Sequence, residues 1–186
     1  MSKVTLVTGG ARSGKSNFAE ELCKKKSSKV SYIATAIPFD DGMKDRIKKH
    51  KDQRPNYWNT FEIKMNVYKN LDEIIKKSDV ILLDCVTVLV NNIIFYDELD
   101  FDNITYKEVD KLELKVKNEF KNIIEIIKKS KIDFIFVTNE IGLGIVPENK
   151  LARIYRDIVG RMNQYIAKNS DEVYFVVSGI PNKIKG

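Results

Sequence analysis

Gly9-Gly10-Ala11-Arg12-Ser13-Gly14-Lys15-Ser16, directly after the apolar run Val4-Thr5-Leu6-Val7-Thr8, decides the fold of this chain. The stretch satisfies the phosphate-loop pattern G-x-x-x-x-G-K-[ST] where that pattern must lie, between a strand and a helix. Gly9, Gly10 and Gly14 let the backbone curl, so that N–H groups of the loop, through Ala11, Arg12 and Ser13, point at phosphate oxygens. Lys15 brings a mobile positive charge to the outer phosphates, and the Ser16 hydroxyl is placed to ligate Mg²⁺. The helix expected from Ser16 to Lys26 adds its positive N-terminal dipole. The loop therefore predicts a nucleoside triphosphate as ligand.

Outward from this loop, short apolar runs alternate with helical stretches. Val4–Thr8, Val30–Ala34, Val80–Asp84, Phe134–Thr138 and Val173–Ser178 read as buried strands, being short and rich in β-branched residues. Helices are predicted at Ser16–Lys26, Gly42–Lys51, Asn66–Lys77, Val86–Phe95, Tyr106–Lys129 and Lys150–Lys168. Weaker strand signals lie at Trp58–Ile63 and Lys183–Lys185. The alternation predicts one α/β domain over residues 1–186, a phosphate-loop fold with a mostly parallel sheet covered by helices on both faces. Polar, acidic Asp97–Thr105 is expected to be a mobile surface loop. In Glu140–Asn149 a third glycine of a dinucleotide fingerprint is missing, so the segment reads as a loop, with Pro147 and Glu148 opening the next helix.

The 186 residues are 43% hydrophobic and 31% charged, the balance of a globular protein able to bury a full core. No apolar run reaches the length of a membrane span, no signal-peptide anatomy precedes the first strand, and a cytoplasmic location is expected. Cys23 and Cys85 have no metal-ligand spacing. The net charge of +6 is spread over Lys24–Lys26, Lys48-Lys49, Lys76-Lys77 and Lys128-Lys129, near predicted helix ends. Nucleic acid is not expected as a partner; a polyanionic substrate would benefit from the same charge.

Ligands of such sheets bind outside the carboxyl ends of the strands, which gathers the loop, Thr35-Ala36, Asp84 and Asn139-Glu140 at one edge. Val80-Ile81-Leu82-Leu83-Asp84 delivers a carboxylate suited to orient Mg²⁺. His50, the single histidine, has two readings. It is a surface residue on a solvated helix, or it is a nucleophile kept neutral by Lys49, Lys51 and Arg54, able to attack phosphorus and form a phosphoramidate. Arg153, Arg156 and Arg161 are either phosphate-neutralising or solvated charges.

The ordered set of motifs resembles a known family. It comprises the loop at 9–16, Tyr32-Ile33-Ala34-Thr35, Arg46-Ile47 with His50, Arg54-Pro55 and Trp58, and Leu82-Leu83-Asp84-Cys85. It continues through Val137-Thr138-Asn139-Glu140 with Gly142 and Gly144, Val146-Pro147-Glu148-Asn149, Arg153 with Arg156-Asp157, Gly160-Arg161 with Asn163-Gln164, and Val177-Ser178-Gly179-Ile180. These are similar to the bifunctional adenosylcobinamide kinase/adenosylcobinamide-phosphate guanylyltransferases of cobalamin biosynthesis. The resemblance implies that a nucleoside triphosphate, ATP or GTP, phosphorylates adenosylcobinamide. GMP from GTP then passes through a covalent histidine to adenosylcobinamide phosphate. It implies His50 as the carrier of GMP and Lys15 as a catalytic group. Nucleotide contacts are implied at Gly9–Ser16, Ala34, Thr35, Ala36, Lys51, Asp52, Gln53, Arg54, Glu62 and Asp84, with Mg²⁺ at Ser16 and Asp84, in a homotrimer. Some relatives carry a second histidine just before the one matching His50; here that position is Lys49. A kinase with one activity and a GTP-dependent switch are the alternatives, the latter weakened because Asn182-Lys183-Ile184-Lys185 lacks the carboxylate of an Asn-Lys-x-Asp guanine motif.

Overall fold

The computed structural model describes residues 3–36, 41, 42, 44, 48, 51, 54–97 and 99–186. Its elements in chain order are β1 (Val4–Gly9), α1 (Lys15–Lys26), β2 (Val30–Ala34), β3 (Asn59–Glu62), a 3₁₀ turn (Val67–Asn70), α2 (Leu71–Ile75) and β4 (Val80–Asp84). There follow α3 (Val86–Ile94), α4 (Tyr106–Lys129), β5 (Asp133–Asn139), α5 (Lys150–Asn169), β6 (Glu172–Val177) and β7 (Ile180–Lys185). The seven strands form one sheet in the order β3-β2-β4-β5-β1-β6-β7, parallel except for the β6–β7 hairpin.

The period of two along the strands sorts the core into two layers. Leu6, Ile33, Ile81, Leu83, Phe134 and Phe136 face α3, α4 and α5. Val7, Val30, Tyr32, Val80, Leu82, Ile135 and Val137 face the other way, onto Ala19 and Cys23 of α1 and onto Trp58. Buried on both faces, the central strands need apolar residues at nearly every position, hence their unbroken sequence signal. Helix α4 presents Leu112, Val116, Phe120, Ile123, Ile124 and Ile127 to the sheet, starts in a capping box of Thr105 and Glu108, and ends on Lys128 and Lys129.

Three expectations need correction. The helix expected over Asn66–Lys77 is a 3₁₀ turn followed by a single short helix, because Asn66 takes a left-handed conformation (φ 54°) and the Val67 N–H donates to buried Glu119 Oε1 at 2.6 Å. Pro147 and Glu148 precede helix α5 instead of opening it; Asn149 is its N-cap, accepting from the Ala152 N–H. The terminal strand is longer than Lys183–Lys185, running from Ile180; every residue of β7 is exposed, and its two isoleucines, four positions apart, form no strand-like run. Asp97–Thr105 carries no helix or strand among its described residues, as expected of a loop; Asp97 pairs with Lys115, Ile104 is buried, and Lys150 donates to the Asp102 and Ile104 carbonyls. Most of the helix expected over Gly42–Lys51 lies outside the described residues.

Candidate active site at the carboxyl edge of the sheet

Strand register lines up the expected site residues along one edge. Gly9 pairs with Asn139, Asp84 with Val137 and with Ala34, and Ala34 with Glu62. The edge therefore runs Glu62, Ala34, Asp84, Asn139, Gly9 across five adjacent strands. At about 4.8 Å per strand, the phosphate loop and Glu62 stand about 19 Å apart.

The loop is held by parts far away in sequence. Gly14 is left-handed (φ 89°), and its N–H-rich turn passes into α1, where Phe18 N–H donates to Gly14 O at 3.0 Å. Lys15 is buried, its Nζ donating to Gly10 O at 3.0 Å, so the ammonium folds over the cradle. The β6–β7 turn packs underneath. Gly179 N–H donates to Ser13 O at 2.8 Å, and a Cβ on Gly9 would stand 2.5 Å from Val176 O. Only glycine fits at position 9.

Asp84 ends β4, where Tyr32 Oη donates to its Oδ2 at 3.0 Å. The Arg54 guanidinium carbon lies 3.4 Å from the centre of the same tyrosine ring. Such a desolvated cation–π contact contributes about 2 kcal/mol. Beneath them Glu20 of α1 is buried; desolvation pushes its pKa up, as does the Asp84 charge, against the opposing pull of Arg54. Burial, with Asp84 nearby, also pushes Tyr32 well up, so it stays a neutral donor.

A second network braces the ends of β2, β4 and β5. The Thr35 hydroxyl accepts from Cys85 N–H at 2.9 Å and donates to Cys85 O at 3.0 Å, while Asn92 Nδ2 donates to Thr35 O. Asn139 Nδ2 donates to Thr87 Oγ1 at 2.7 Å, Tyr155 Oη donates to Thr87 O, and buried Asn163 donates to Asn139 O while accepting from Thr138 Oγ1. The polar groups of Thr35 are thus engaged within the fold. Burial and the Asp84 charge push the Cys85 thiol up to about 11, which removes it as a nucleophile at neutral pH.

At the β3 end lies a cleft of about 340 Å³ lined by Lys51, Arg54, Pro55, Asn56, Trp58, Thr60 and Glu62. Lys51 and Glu62 form an exposed ion pair at 2.5 Å, and the hydrogen bond from Lys51 holds the Glu62 carboxyl below its usual range. Arg54 Nε and Nη1 and Trp58 Nε1 are buried, with no hydrogen-bond partner among the described residues. Buried donors left unpaired are costly, and a ligand in the cleft that offered acceptors would relieve that cost. His50, Asp52 and Gln53 lie outside the described residues. On α5, Arg161 makes a two-pronged pair with Glu113, Arg156 pairs with Asp157, and Arg153 donates to the Pro147 and Glu148 carbonyls.

Sequence reasoning gave no role to Glu20, Tyr32, Asn163 or Gly179. For Gly179 a signal existed: Ser178-Gly179 between two β-rich runs marks a hairpin with two positive φ angles, found at 50° and 81°. For the other three no local signal exists, because the partners described above lie 22 or more positions away.

A family model described as cobinamide kinase / cobinamide phosphate guanyltransferase matches residues 5–184. The chain is 44% identical over 186 residues to the bifunctional adenosylcobalamin biosynthesis protein CobU of Escherichia coli strain K12, covering 97% of this chain and 98% of that protein. The namesake from Salmonella typhimurium is also 44% identical with the same coverage, and the bifunctional protein CobP of Pseudomonas aeruginosa is 34% identical over 181 residues, covering 97% and 96%. With a phosphate loop on β1, a carboxylate on β4 and whole-length identity, the chain belongs to the cobinamide kinase / cobinamide phosphate guanyltransferase family.

Proposed function

We propose that the two reactions of this bifunctional kinase and guanylyltransferase are served by the two ends of the carboxyl edge, with GMP passing through His50. In the kinase step Gly9–Ser16 holds the triphosphate. Loop N–H groups and Lys15 offset the charge that builds on the transferring phosphoryl group, and that positioning supplies most of the catalysis. The Ser16 hydroxyl and the Asp84 carboxylate would hold Mg²⁺. They are hard oxygen donors, and among the described residues no group of three or more His, Cys, Asp or Glu side chains forms an all-protein cage. Mg²⁺ suits such a sparse set, completing its shell with phosphate and water. Bound there, the ion would neutralise phosphate charge in transit. Tyr32 Oη, donating to one oxygen of Asp84, fixes the carboxylate so that the other turns to the site.

The observation that carries the second half is the cleft of Lys51, Arg54, Trp58 and Glu62, with buried donors that have no partner among the described residues. A guanine nucleotide supplies acceptors for Arg54 and Trp58, and Glu62 can accept from the donor edge of guanine. His50 stands next to Lys51 in sequence, and in this reading its imidazole attacks the α-phosphorus of GTP. Attack by the ring nitrogen forms the P–N bond and releases pyrophosphate. The phosphate of cobinamide phosphate then takes the GMP, and the imidazole is freed. Whole-length family membership favours this reading over a single-activity kinase or a GTP switch.

The test is labelling. GTP labelled at the α-phosphate should mark the protein through an acid-labile, alkali-stable bond, and γ-labelled GTP should not. His50→Asn should abolish both label and guanylyl transfer while kinase turnover persists. Undiminished labelling of that variant would place the nucleophile elsewhere. A homotrimer in the cytoplasm belongs to the same reading, and light scattering on the purified protein tests the assembly. No helix among the described residues is long and apolar enough to cross a membrane.

A further inference from the structure

We propose that the connection between β5 and α5 forms the acceptor side of the kinase site, with Glu140 the catalytic carboxylate that takes the proton of the attacking hydroxyl. The proposal rests on the reading that Gly9–Ser16 holds the triphosphate of the kinase step. In that step the acceptor oxygen bonds to the γ-phosphorus and the bond from that phosphorus to the β,γ-bridging oxygen breaks. A nucleoside diphosphate leaves, and the hydroxyl proton passes to a base within hydrogen-bond reach.

Four carboxylates stand near this edge among the described residues. Glu62 is ion-paired at the far strand, about 19 Å from the loop by strand spacing. Glu20 is buried under the sheet edge, 5% exposed, where no acceptor hydroxyl can reach it. Asp84 already receives the Tyr32 hydroxyl and is the carboxylate proposed above to hold Mg²⁺. Glu140 remains, and its placement suits the task. It follows the last residue of β5, the strand between β1 and β4, so it sits in the gap between the phosphate loop and Asp84. Its N–H donates to Gly9 O at 3.0 Å, which ties its backbone to the first residue of the loop. Its Oε1 accepts from Gly142 N–H at 3.0 Å, which orients the carboxylate and leaves Oε2 for a substrate proton. The side chain is half-buried, and no cation pairs with it among the described residues.

The same connection continues into Leu143, Ile145 and Val146, which are 78%, 95% and 60% exposed. Three apolar side chains held out in water beside a phosphate site have a cost unless something apolar covers them. The segment carrying them is fixed at both ends, by Gly142 N–H on Glu140 and by Arg153 on the Pro147 and Glu148 carbonyls. A phosphate acceptor with a broad apolar face, such as the ring of cobinamide, fits this surface while its hydroxyl reaches Glu140.

The experiment compares the two reactions in one enzyme. Glu140→Gln should lower kinase kcat by about 100-fold or more, the range for loss of a general base. Guanylyl transfer to cobinamide phosphate should change by less than roughly threefold, because an ionised phosphate acceptor has no proton to surrender. Glu140→Asp should recover part of the kinase rate. Ile145→Ser with Val146→Ser should raise KM for cobinamide and leave KM for the nucleotide unmoved. Wild-type kinase kcat in Glu140→Gln, or equal loss of both reactions, overturns the assignment of the base. Unchanged cobinamide KM in the double variant overturns the acceptor surface. Lys15→Ala separates the premise from the proposal: if it keeps wild-type kinase turnover, the phosphate loop does not serve that step.

Discussion

Substituting alanine at Gly179 and at Gly14 should separate backbone strain from crowding at the phosphate loop. Both glycines have positive φ, 81° and 89°. A Cβ on Gly179 meets nothing within 4 Å, so the variant bears only the left-handed strain of an L-residue, about 1–2 kcal/mol. A Cβ on Gly14 bears the same strain and stands 3.0 Å from the Gly179 Cα, a backbone atom that cannot swing away. Overpacking of that kind adds about 1–3 kcal/mol, for a total of about 2–5 kcal/mol. In a chain of this length 1 kcal/mol lowers Tm by about 2–4 °C, so Gly179→Ala should lose about 2–8 °C and Gly14→Ala clearly more. Gly179→Ala keeps the N–H that donates to Ser13 O, so its affinity for a fluorescent GTP analogue should stay near wild type, whereas Gly14→Ala should weaken it. Calorimetry and fluorescence titration read the two effects. Equal Tm losses, or a larger loss at Gly179, would refute the claim that the hairpin turn is packed against the loop.

Two further substitutions probe the buried polar groups. Burial raises the pKa of Glu20 above 4.5, so the native state favours its protonated form; the associated stability is complete below pH 4.5 and is lost as pH rises through the folded pKa. Glu20→Gln should therefore be more stable than wild type in urea at pH 7 to 8, with the gain shrinking toward pH 4.5; a gain independent of pH would refute burial of the charge as its cause. Asn163→Leu strands the Thr138 hydroxyl and the Asn139 carbonyl, at about 1–3 kcal/mol for each abandoned buried group. Urea unfolding should show that loss, and a change within 0.5 kcal/mol, about the size of a surface substitution, would mean that water replaces the amide.

The fold was legible where burial forced it. Strands flanked by helices on both faces must be apolar throughout, which is why β1, β2, β4 and β5 could be located to within a residue or two. Where burial did not act, the reading failed. No alternating apolar run marks β7, where Ile180 and Ile184 stand apart and all six residues face water at the sheet edge. The region 66–77 has helical periodicity, yet a carboxylate from α4 caps it from outside as a 3₁₀ turn. No inspection of residues 66–77 could have revealed Glu119.

The site divides along the same line. A phosphate cradle is made from consecutive backbone N–H groups, so its chemistry must be written in consecutive residues, and Gly9–Ser16 was readable at once. The place of Asp84 was readable because an apolar strand ends on it; β4 closes at that residue. The surroundings that tune these residues are assembled by strand order instead. Tyr32 reaches Asp84 because β2 adjoins β4, and Arg54, 22 positions on in the chain, lies over the Tyr32 ring. Glu140 acquires its position between loop and carboxylate only because β5 is inserted between β1 and β4. A one-dimensional pattern can announce a phosphate loop; which carboxylates come to stand beside it is decided by the order of strands in the sheet. For that reason the split between the two reactions in Glu140→Gln bears on topology as much as on chemistry. It asks whether the slot between β1 and β4 is where the acceptor hydroxyl enters.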